Sequence, residues 1–367
     1  MEKFKIAQSE LKDVVAAIES IKMQFADIEV CMVLYFASPS YPAEEISKEM
    51  AVAFEGIHTV GCSTAGEMIT GKMGKDSIVA MAWPKASLKY LKIEVLENIK
   101  TDTDAVVNAF HSFEESIGLS MKHLNPEQYV GMIIIDGMCG CEEKLNDQLG
   151  NLTNVPFVGG SAGDNFKFQS TWLYVDGKAY TNAAILILME PANGYAILKT
   201  QSFATTNKKL TPTQVDECRR MVFKFDGRPA TEAYAEALGI SVDNLQDKFA
   251  EQPVGLVFDE NNYFVRSPQR TEGESIRFYC SIKEGLELTL LQAKDIVVNT
   301  RADLQKHGNV RAIIDFNCAQ RFMELEHKNQ MKEYSEIFGN TPTIGFSTYG
   351  ESYIGHMNQT STMLLLK

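Results

Sequence analysis

The sequence predicts a two-domain α/β protein in which helices flank mixed β-sheets built from repeated strand–helix–strand–glycine-turn units. A short pattern occurs three times: an apolar residue, Gly, any residue, Ser, a spacer, Gly and an acid. The copies lie at 60–67, 158–164 and 344–351, and the second copy is one residue shorter. Strand-like apolar runs precede and follow each copy, and the preceding run lies about 30 residues upstream, the length of a βαβ crossover. Three versions of one unit are therefore expected.

Apolar periodicity and helix-end signals predict the helices and strands of the first two repeats. Ser9 is expected to cap an N-terminal helix whose apolar residues share one face, and Gly118 suits the end of a later helix. Asp176-Gly177 between two apolar runs is a hairpin signal. The expected strands are 31–36, 77–83, 88–95, 130–136, 170–175, 183–189 and 195–203, and the expected helices end near 54, 117 and 149.

A change of pattern near residue 225 predicts the domain boundary. Pro229 suits the first position of a helix and Gly239 suits the position just beyond its end. The predicted domains are therefore 1–224 and 225–367. In the second domain we expect a hairpin turning at 260–262, a polar loop at 267–274, strands at 276–282 and 286–291, a helix at 294–306 and the third repeat.

Composition excludes several classes of function. The 367 residues carry a net charge of −13 and no Lys/Arg run, so binding to nucleic acid or to an anionic membrane is not expected. The N-terminus has no signal-peptide core, and no apolar run is long enough to span a bilayer. Seven scattered cysteines fit a reducing compartment, so a cytoplasmic protein is predicted.

The glycine turns are the candidate functional elements. Glycine allows positive φ and close approach, Ser and Thr supply hydroxyls, and successive N–H groups in such turns can hold an anion. Ligands of open α/β sheets bind beyond the carboxyl ends of strands, where these turns are expected. The alternative is that the turns are tight connections whose Ser and Glu satisfy local backbone groups.

These motifs resemble those of the FIST family, a two-part sensory module of prokaryotic signalling proteins. The segments 60–67 and 158–164 are similar to the signatures of its N-terminal part, and 225–230 is similar to the junction. The segment 344–351, with 355–360, is similar to the closing signature of the C-terminal part.

The resemblance implies a non-enzymatic sensor of a small ligand, an amino acid or another small carboxylate. It also implies coupling to a histidine kinase, a chemoreceptor or a cyclic-dinucleotide enzyme. Because the chain stops at Lys367, straight after the C-terminal part, such an output protein is expected to be a separate partner.

An amino-acid ligand suggests roles for particular side chains. An arginine can clamp a carboxylate with two hydrogen bonds, and Arg266 is the first candidate. Acids of the turns could meet the ammonium group. The candidate ligand-binding residues are Gly61, Ser63, Thr64, Glu67, Gly159, Ser161, Asp164, Arg266, Ser347, Thr348, Tyr349 and Glu351.

Two other functions are kept as alternatives. Gly159-x-Ser161-x-Gly163 formally matches the nucleophile elbow of a serine hydrolase, but the sibling turns lack that spacing. Some relatives of the FIST family bind haem and respond to nitric oxide, and His356, the histidine inside a signature, is the candidate haem ligand. No histidine or cysteine spacing indicates a metal site, so neither a metal nor, outside the haem alternative, a cofactor is expected.

Overall fold

A computed structural model of the chain describes residues 3–259 and 262–367. The first repeat contains β1 Lys5–Ser9, α1 Val14–Gln24, β2 Val30–Ala37, α2 Ala43–Ala53, β3 His58–Ser63, β4 Glu67–Ile69, β5 Lys72–Gly74 and β6 Ile78–Pro84. The second contains β7 Leu88–Glu97, α3 Ala105–Ile117, β8 Val130–Ile135, α4 Glu142–Leu152, β9 Phe157–Ser161, β10 Leu173–Val175, β11 Lys178–Tyr180 and β12 Ala183–Pro191.

The third repeat is interrupted after its first strand, β13 Tyr195–Gln201. The interrupting segment contains β14 Phe203–Leu210, β15 Pro212–Asp216, β16 Met221–Phe225, β17 Arg228–Pro229, α5 Ala230–Leu238, β18 Val254–Asp259, β19 Asn262–Arg266, β20 Pro268–Glu272, β21 Ser275–Phe278 and β22 Leu288–Ala293. The repeat resumes with α6 Ile296–Leu304, β23 Ala312–Cys318, α7 Ala319–His327, α8 Met331–Glu336, β24 Thr343–Thr348, β25 Glu351–Tyr353, β26 His356–Met357 and β27 Thr360–Leu366.

The three repeats share one topology. Two strands joined through helix run parallel in each: β2 with β3, β8 with β9, and β23 with β24. After the glycine turn and a short excursion, a final strand returns antiparallel to the first of the pair: β6, β12 and β27. The α/β class, the mixed sheets and the repeated unit predicted from the sequence are confirmed.

The strand after each glycine turn leaves its own repeat and joins the sheet of another. β4 of the first repeat pairs with β24 of the third, β10 of the second with β3 of the first, and β25 of the third with β9 of the second. The exchange is cyclic. Each turn therefore lies where two repeats meet, which strand periodicity alone could not indicate.

The inner faces of the three sheets share one apolar core. Side chains alternate along each central strand, as a period of two requires, so that one set points inward. The rings of Phe36 and Phe346 lie 4.5 Å apart between centroids, and Phe316 lies 5.8 Å from Phe346. The opposite faces of the first two sheets pack apolar residues under α1 and α2 and under α3 and α4.

The outer face of the third sheet is polar where the first two are apolar. Asp315 and Asn317 occupy it, and Tyr334 donates a hydrogen bond of 2.9 Å to Asp315. The Nε of buried Arg321 donates to Asn317 Oδ1 at 2.8 Å. Burial raises the pKa of Asp315 to about 6, although bonds from Ser361 and Tyr334 oppose the shift.

The chain forms two compact units. The first comprises Met1–Thr200, Arg301–Gly355 and Ser361–Lys367, and the second comprises Gln201–Thr300 and His356–Thr360. The second unit contains two antiparallel sheets with strand orders β14-β22-β18-β19 and β15-β16-β21-β20 and an apolar core that includes Phe225 and Tyr234. The domain boundary at residue 225 stays a prediction.

Two local expectations differ from the structure, and a third cannot be compared with it. Helix α1 begins at Val14 with Asp13 as its cap, not at Ser9, because residues 5–9 pair with β6 as a strand. The expected polar loop at 267–274 contains β20, which pairs with β21. The turn expected at 260–262 falls mainly on residues 260 and 261, which lie outside the described residues.

Candidate functional site

The first glycine of each turn is required by close strand approach. A Cβ atom on Gly61 would lie 2.0 Å from the carbonyl oxygen of Tyr35, on the neighbouring parallel strand. The same atom on Gly159 would lie 1.7 Å from the Ile133 oxygen, and on Gly345 it would lie 2.4 Å from the Asp315 oxygen. A side chain cannot be accommodated at that distance, so this part of the motif is structural.

The three turns are tied together by a cyclic set of backbone hydrogen bonds. In each turn the N–H two residues after the serine donates to the serine carbonyl of another turn. The bonds are Ala65 N to Ser347 O at 3.1 Å, Gly163 N to Ser63 O at 3.0 Å, and Tyr349 N to Ser161 O at 3.1 Å. These amides and carbonyls are engaged by protein, not by a ligand.

The first and third turns also share a threonine–glutamate pair. Thr64 donates to Glu67, and Thr348 donates to Glu351 at 2.6 Å, three residues apart in both turns. Glu67 further accepts bonds from the N–H and the hydroxyl of Ser77 at 3.0 and 2.9 Å. Burial raises the pKa of Glu67 to about 7, although these three bonds oppose the shift.

The second turn is built differently. In the first and third turns the glutamate begins the returning strand: Glu67 pairs with Phe346, and Glu351 pairs with Gly160. In the second turn the equivalent position is held by Leu173, which pairs with Cys62. The alignment of Asp164 with the two glutamates is therefore wrong. The second copy is not shortened by one residue; a loop, residues 163–172, is inserted before the returning strand.

Asp164 organises the inserted loop. Its carboxylate accepts the N–H groups of Phe168, Gln169 and Ser170 at 2.8, 2.7 and 3.1 Å, and it also accepts the hydroxyl of Tyr349. Burial opposes the ionisation of Asp164, but these bonds outweigh it and hold its pKa below the ordinary value. The clamp maintains a backbone in which Asn165, Phe166 and Phe168 have positive φ.

A pocket of about 440 Å³ opens beside this loop, within the first compact unit. It lies beyond the carboxyl end of β2, at the beginning of α2, where ligands of α/β sheets bind. Its walls come from the segment before α2 and from the inserted loop with the start of β10. The lining residues are Pro39, Tyr41, Pro42, Ala43, Glu44, Asp164, Lys167, Gln169, Ser170, Trp172 and Tyr174.

The pocket joins aromatic walls to charges of both signs. Tyr41 and Tyr174 are buried, and Trp172 is half-buried. Glu44 and Lys167 are exposed at the rim. Burial, together with the negative charges of Glu67, Asp76 and Glu10, raises the pKa of Tyr41 to about 12.

Two family models match consecutive parts of the chain. The FIST N domain matches residues 31–228, and the FIST C domain matches residues 230–353. The chain belongs to the FIST family. FIST domains are sensory domains of signal transduction, so a sensory role follows for this module.

A curated relative of this FIST chain is an uncharacterized protein of Methanocaldococcus jannaschii. The two are 21% identical over 277 residues, which cover 70% of this chain and 50% of the relative. The chain thus spans half the length of that relative.

The structure brings most of the predicted FIST site residues together, but inside the protein. The side chains of Ser63, Ser161 and Ser347 are each at most 1% exposed. Ser63 donates to the Gly163 carbonyl at 2.8 Å, and Ser161 donates to Glu142 at 3.4 Å. Asp164 is the predicted residue that also lines the pocket. Ligand binding by the other turn residues stays a prediction.

Arg266 and His356 belong to the second compact unit. Arg266 donates through Nη1 to the backbone carbonyl of His356 at 3.1 Å. His356 is buried, with 4% exposure. The haem alternative and the Arg266 clamp both stay predictions.

The hydrolase alternative lacks its structural context. A nucleophile elbow places its serine between a strand and a helix. Ser161 ends β9, and the next regular element is strand β10, not a helix.

Sequence reasoning missed the pocket residues Tyr41, Glu44, Lys167 and Trp172. A usable signal lay in the Pro-rich turn between β2 and α2, because that connection follows the carboxyl end of a parallel strand. The contribution of the inserted loop had no such signal, since its strand pairs with another repeat.

Proposed function

We propose that this FIST protein is a cytoplasmic sensor that binds an amino acid or another small carboxylate in the pocket between α2 and the inserted loop. The observation that carries the proposal is the pocket itself. Its volume of about 440 Å³ falls in the range of small-molecule sites, and its walls combine aromatic rings with proline, polar and charged residues.

The rim charges suit a zwitterion. The ammonium of Lys167 can meet the ligand carboxylate, and the carboxylate of Glu44 can meet the ligand ammonium. The free N–H groups at the beginning of α2 add favourable potential for the carboxylate end. The ligand side chain would then lie against Tyr41, Trp172 and the two prolines.

A binding role needs no catalytic group, and the protein is proposed to act without enzymatic activity. Its signal would pass to a separate output protein, such as a histidine kinase, a chemoreceptor or a cyclic-dinucleotide enzyme. No helix among the described residues is both long and apolar enough to cross a membrane.

Thermal unfolding with each of the twenty amino acids tests the proposal. A ligand at 100 times its Kd stabilises the native state by about 2.7 kcal/mol, which raises Tm by a few degrees. Lys167→Ala and Glu44→Gln should abolish most of the rise for the ligand that binds. Lys122→Ala and Glu55→Gln, exposed positions that do not line the pocket, should keep it.

The results separate the parts of the proposal. Stabilisation by an amino acid that survives both pocket substitutions places the site elsewhere. No stabilisation by any amino acid, or by acetate, succinate or glutarate, contradicts the small-carboxylate ligand.

A further inference from the structure

We infer that the pocket beside the inserted loop selects a ligand with a cationic side chain, of the guanidinium or alkylammonium class. The inference rests on the proposed function, because it names the class of ligand for that same pocket. Three features carry it: aromatic walls, an excess of nearby negative charge, and the placement of the single lining cation at the rim.

The aromatic walls come from both sides of the pocket. Tyr41 lies in the segment before α2, and its hydroxyl is turned away to donate to the Leu11 carbonyl at 2.9 Å. Trp172 ends the inserted loop and Tyr174 lies in β10, where it stacks on Tyr35 with ring centroids 5.6 Å apart. Ring faces attract cations, and Trp does so most strongly.

Negative charge outweighs positive charge around these rings. Glu44 and Asp164 line the pocket against one cation, Lys167. Glu45 follows in the first turn of α2. Burial is the main cause of the raised pKa of Tyr41, and the negative charges of Glu67 and Asp76 add to it. Such a field favours a ligand of net positive charge.

Lys167 and the N-terminus of α2 are the opposing features. Both would repel a cation, but both suit the carboxylate that the proposed ligand also carries. Lys167 is exposed on the loop, so its long side chain can hold that carboxylate at the mouth. A cationic side chain would then lie against Trp172, within reach of Glu44 at the rim.

The test compares ligands that differ in charge but little in shape. The probes are L-arginine with its neutral isostere L-citrulline, and L-lysine with L-norleucine, each titrated by calorimetry into the full chain. We expect the cationic member of each pair to bind about tenfold more tightly, the size of one favourable cation–π contact with a nearby carboxylate.

Matched variants locate the preference. Trp172→Leu should weaken arginine binding about tenfold, whereas Trp172→Phe, which keeps a ring face, should weaken it about threefold. Glu44→Gln should reduce the ratio of the Kd for citrulline to the Kd for arginine, and Glu55→Gln should leave that ratio unchanged. The chain has two tryptophans, and Trp83 lies in the core with 0% exposure. In a Trp83→Phe background, Trp172 is the fluorescent reporter of binding.

The outcomes distinguish this inference from the proposed function. Tighter binding of citrulline or norleucine, or pocket binding of leucine or glutamate but not of arginine or lysine, overturns the cationic class and leaves a small-ligand sensor intact. Equal effects of Trp172→Leu and Trp172→Phe overturn the aromatic contribution. Absence of binding by every amino acid overturns the inference, and absence of binding by acetate, succinate and glutarate as well overturns the proposed function.

Discussion

The second glycine turn and its two siblings occupy equivalent places in the fold but use them differently. In the first and third turns a threonine–glutamate pair closes the turn on itself. In the second turn Ala162 follows the serine and Leu173 takes the place of the glutamate, while Asp164 clamps an inserted loop. The pocket lies beside that loop. A motif that repeats in three turns can therefore have a pocket beside the one copy that departs from the pattern.

The largest effect is expected from substitution of the first glycine, which all three turns share. Gly61→Ala and Gly345→Ala should each destabilise the protein by about 3 kcal/mol or more, because the new Cβ would meet a strand carbonyl at 2.0 and 2.4 Å. Chemical denaturation measures the loss. Gly150→Ala, inside α4 with open space around it, should instead stabilise by roughly 0.5–1 kcal/mol. Losses no larger than those of an ordinary surface substitution would show that the strands can move apart.

A smaller effect is expected in the first turn, where Glu67 makes the stability of the protein depend on pH. Because the pKa of Glu67 is raised from 4.5 to about 7, the folded protein binds more protons than the unfolded chain between these values. Stability should therefore fall as pH rises through this window, by at most about 3 kcal/mol. Glu67→Gln should flatten the profile. Asp315, raised from 3.8 to about 6, adds a fall of the same sign at lower pH.

Denaturation at a series of pH values, with wild type beside Glu67→Gln, checks this expectation. Asp164→Asn serves as the contrasting variant, since the pKa of Asp164 is lowered. Stability that rises between pH 4.5 and 7 in wild type but not in Glu67→Gln would reverse the assignment.

The smallest effect belongs to the inserted loop. Asp164→Ala removes the acceptor of three backbone N–H groups and should cost about 1–2 kcal/mol. Hydrogen exchange should accelerate at residues 168–170 and remain slow in β2 and β3. Asp147→Ala, an exposed acid on α4, is the control. Uniformly faster exchange throughout the first compact unit would mean that the loop is part of the global fold and not a local addition.

Much of the fold could be predicted because its helices and strands depend on residues that are close together in the sequence. Continuous apolar runs indicated β2, β6, β8 and β12, and Gly118 ends α3 in a left-handed conformation, as expected. Strand β1 was missed because its five residues carry little periodicity and are stabilised by pairing with β6, far away in the sequence.

The sequence by itself determined the family, the repeated unit and the glycines that strand approach demands, since each depends on residues close together in the chain. Only the tertiary structure decided which sheet each returning strand joins. That pairing buries the serines and glutamates of the turns, which were expected to meet a ligand, and it brings Trp172 of the second repeat opposite Tyr41 of the first. A pocket made by residues more than 100 positions apart follows from strand exchange between repeats, and strand exchange leaves no periodic signal because the same alternation fits every partner sheet.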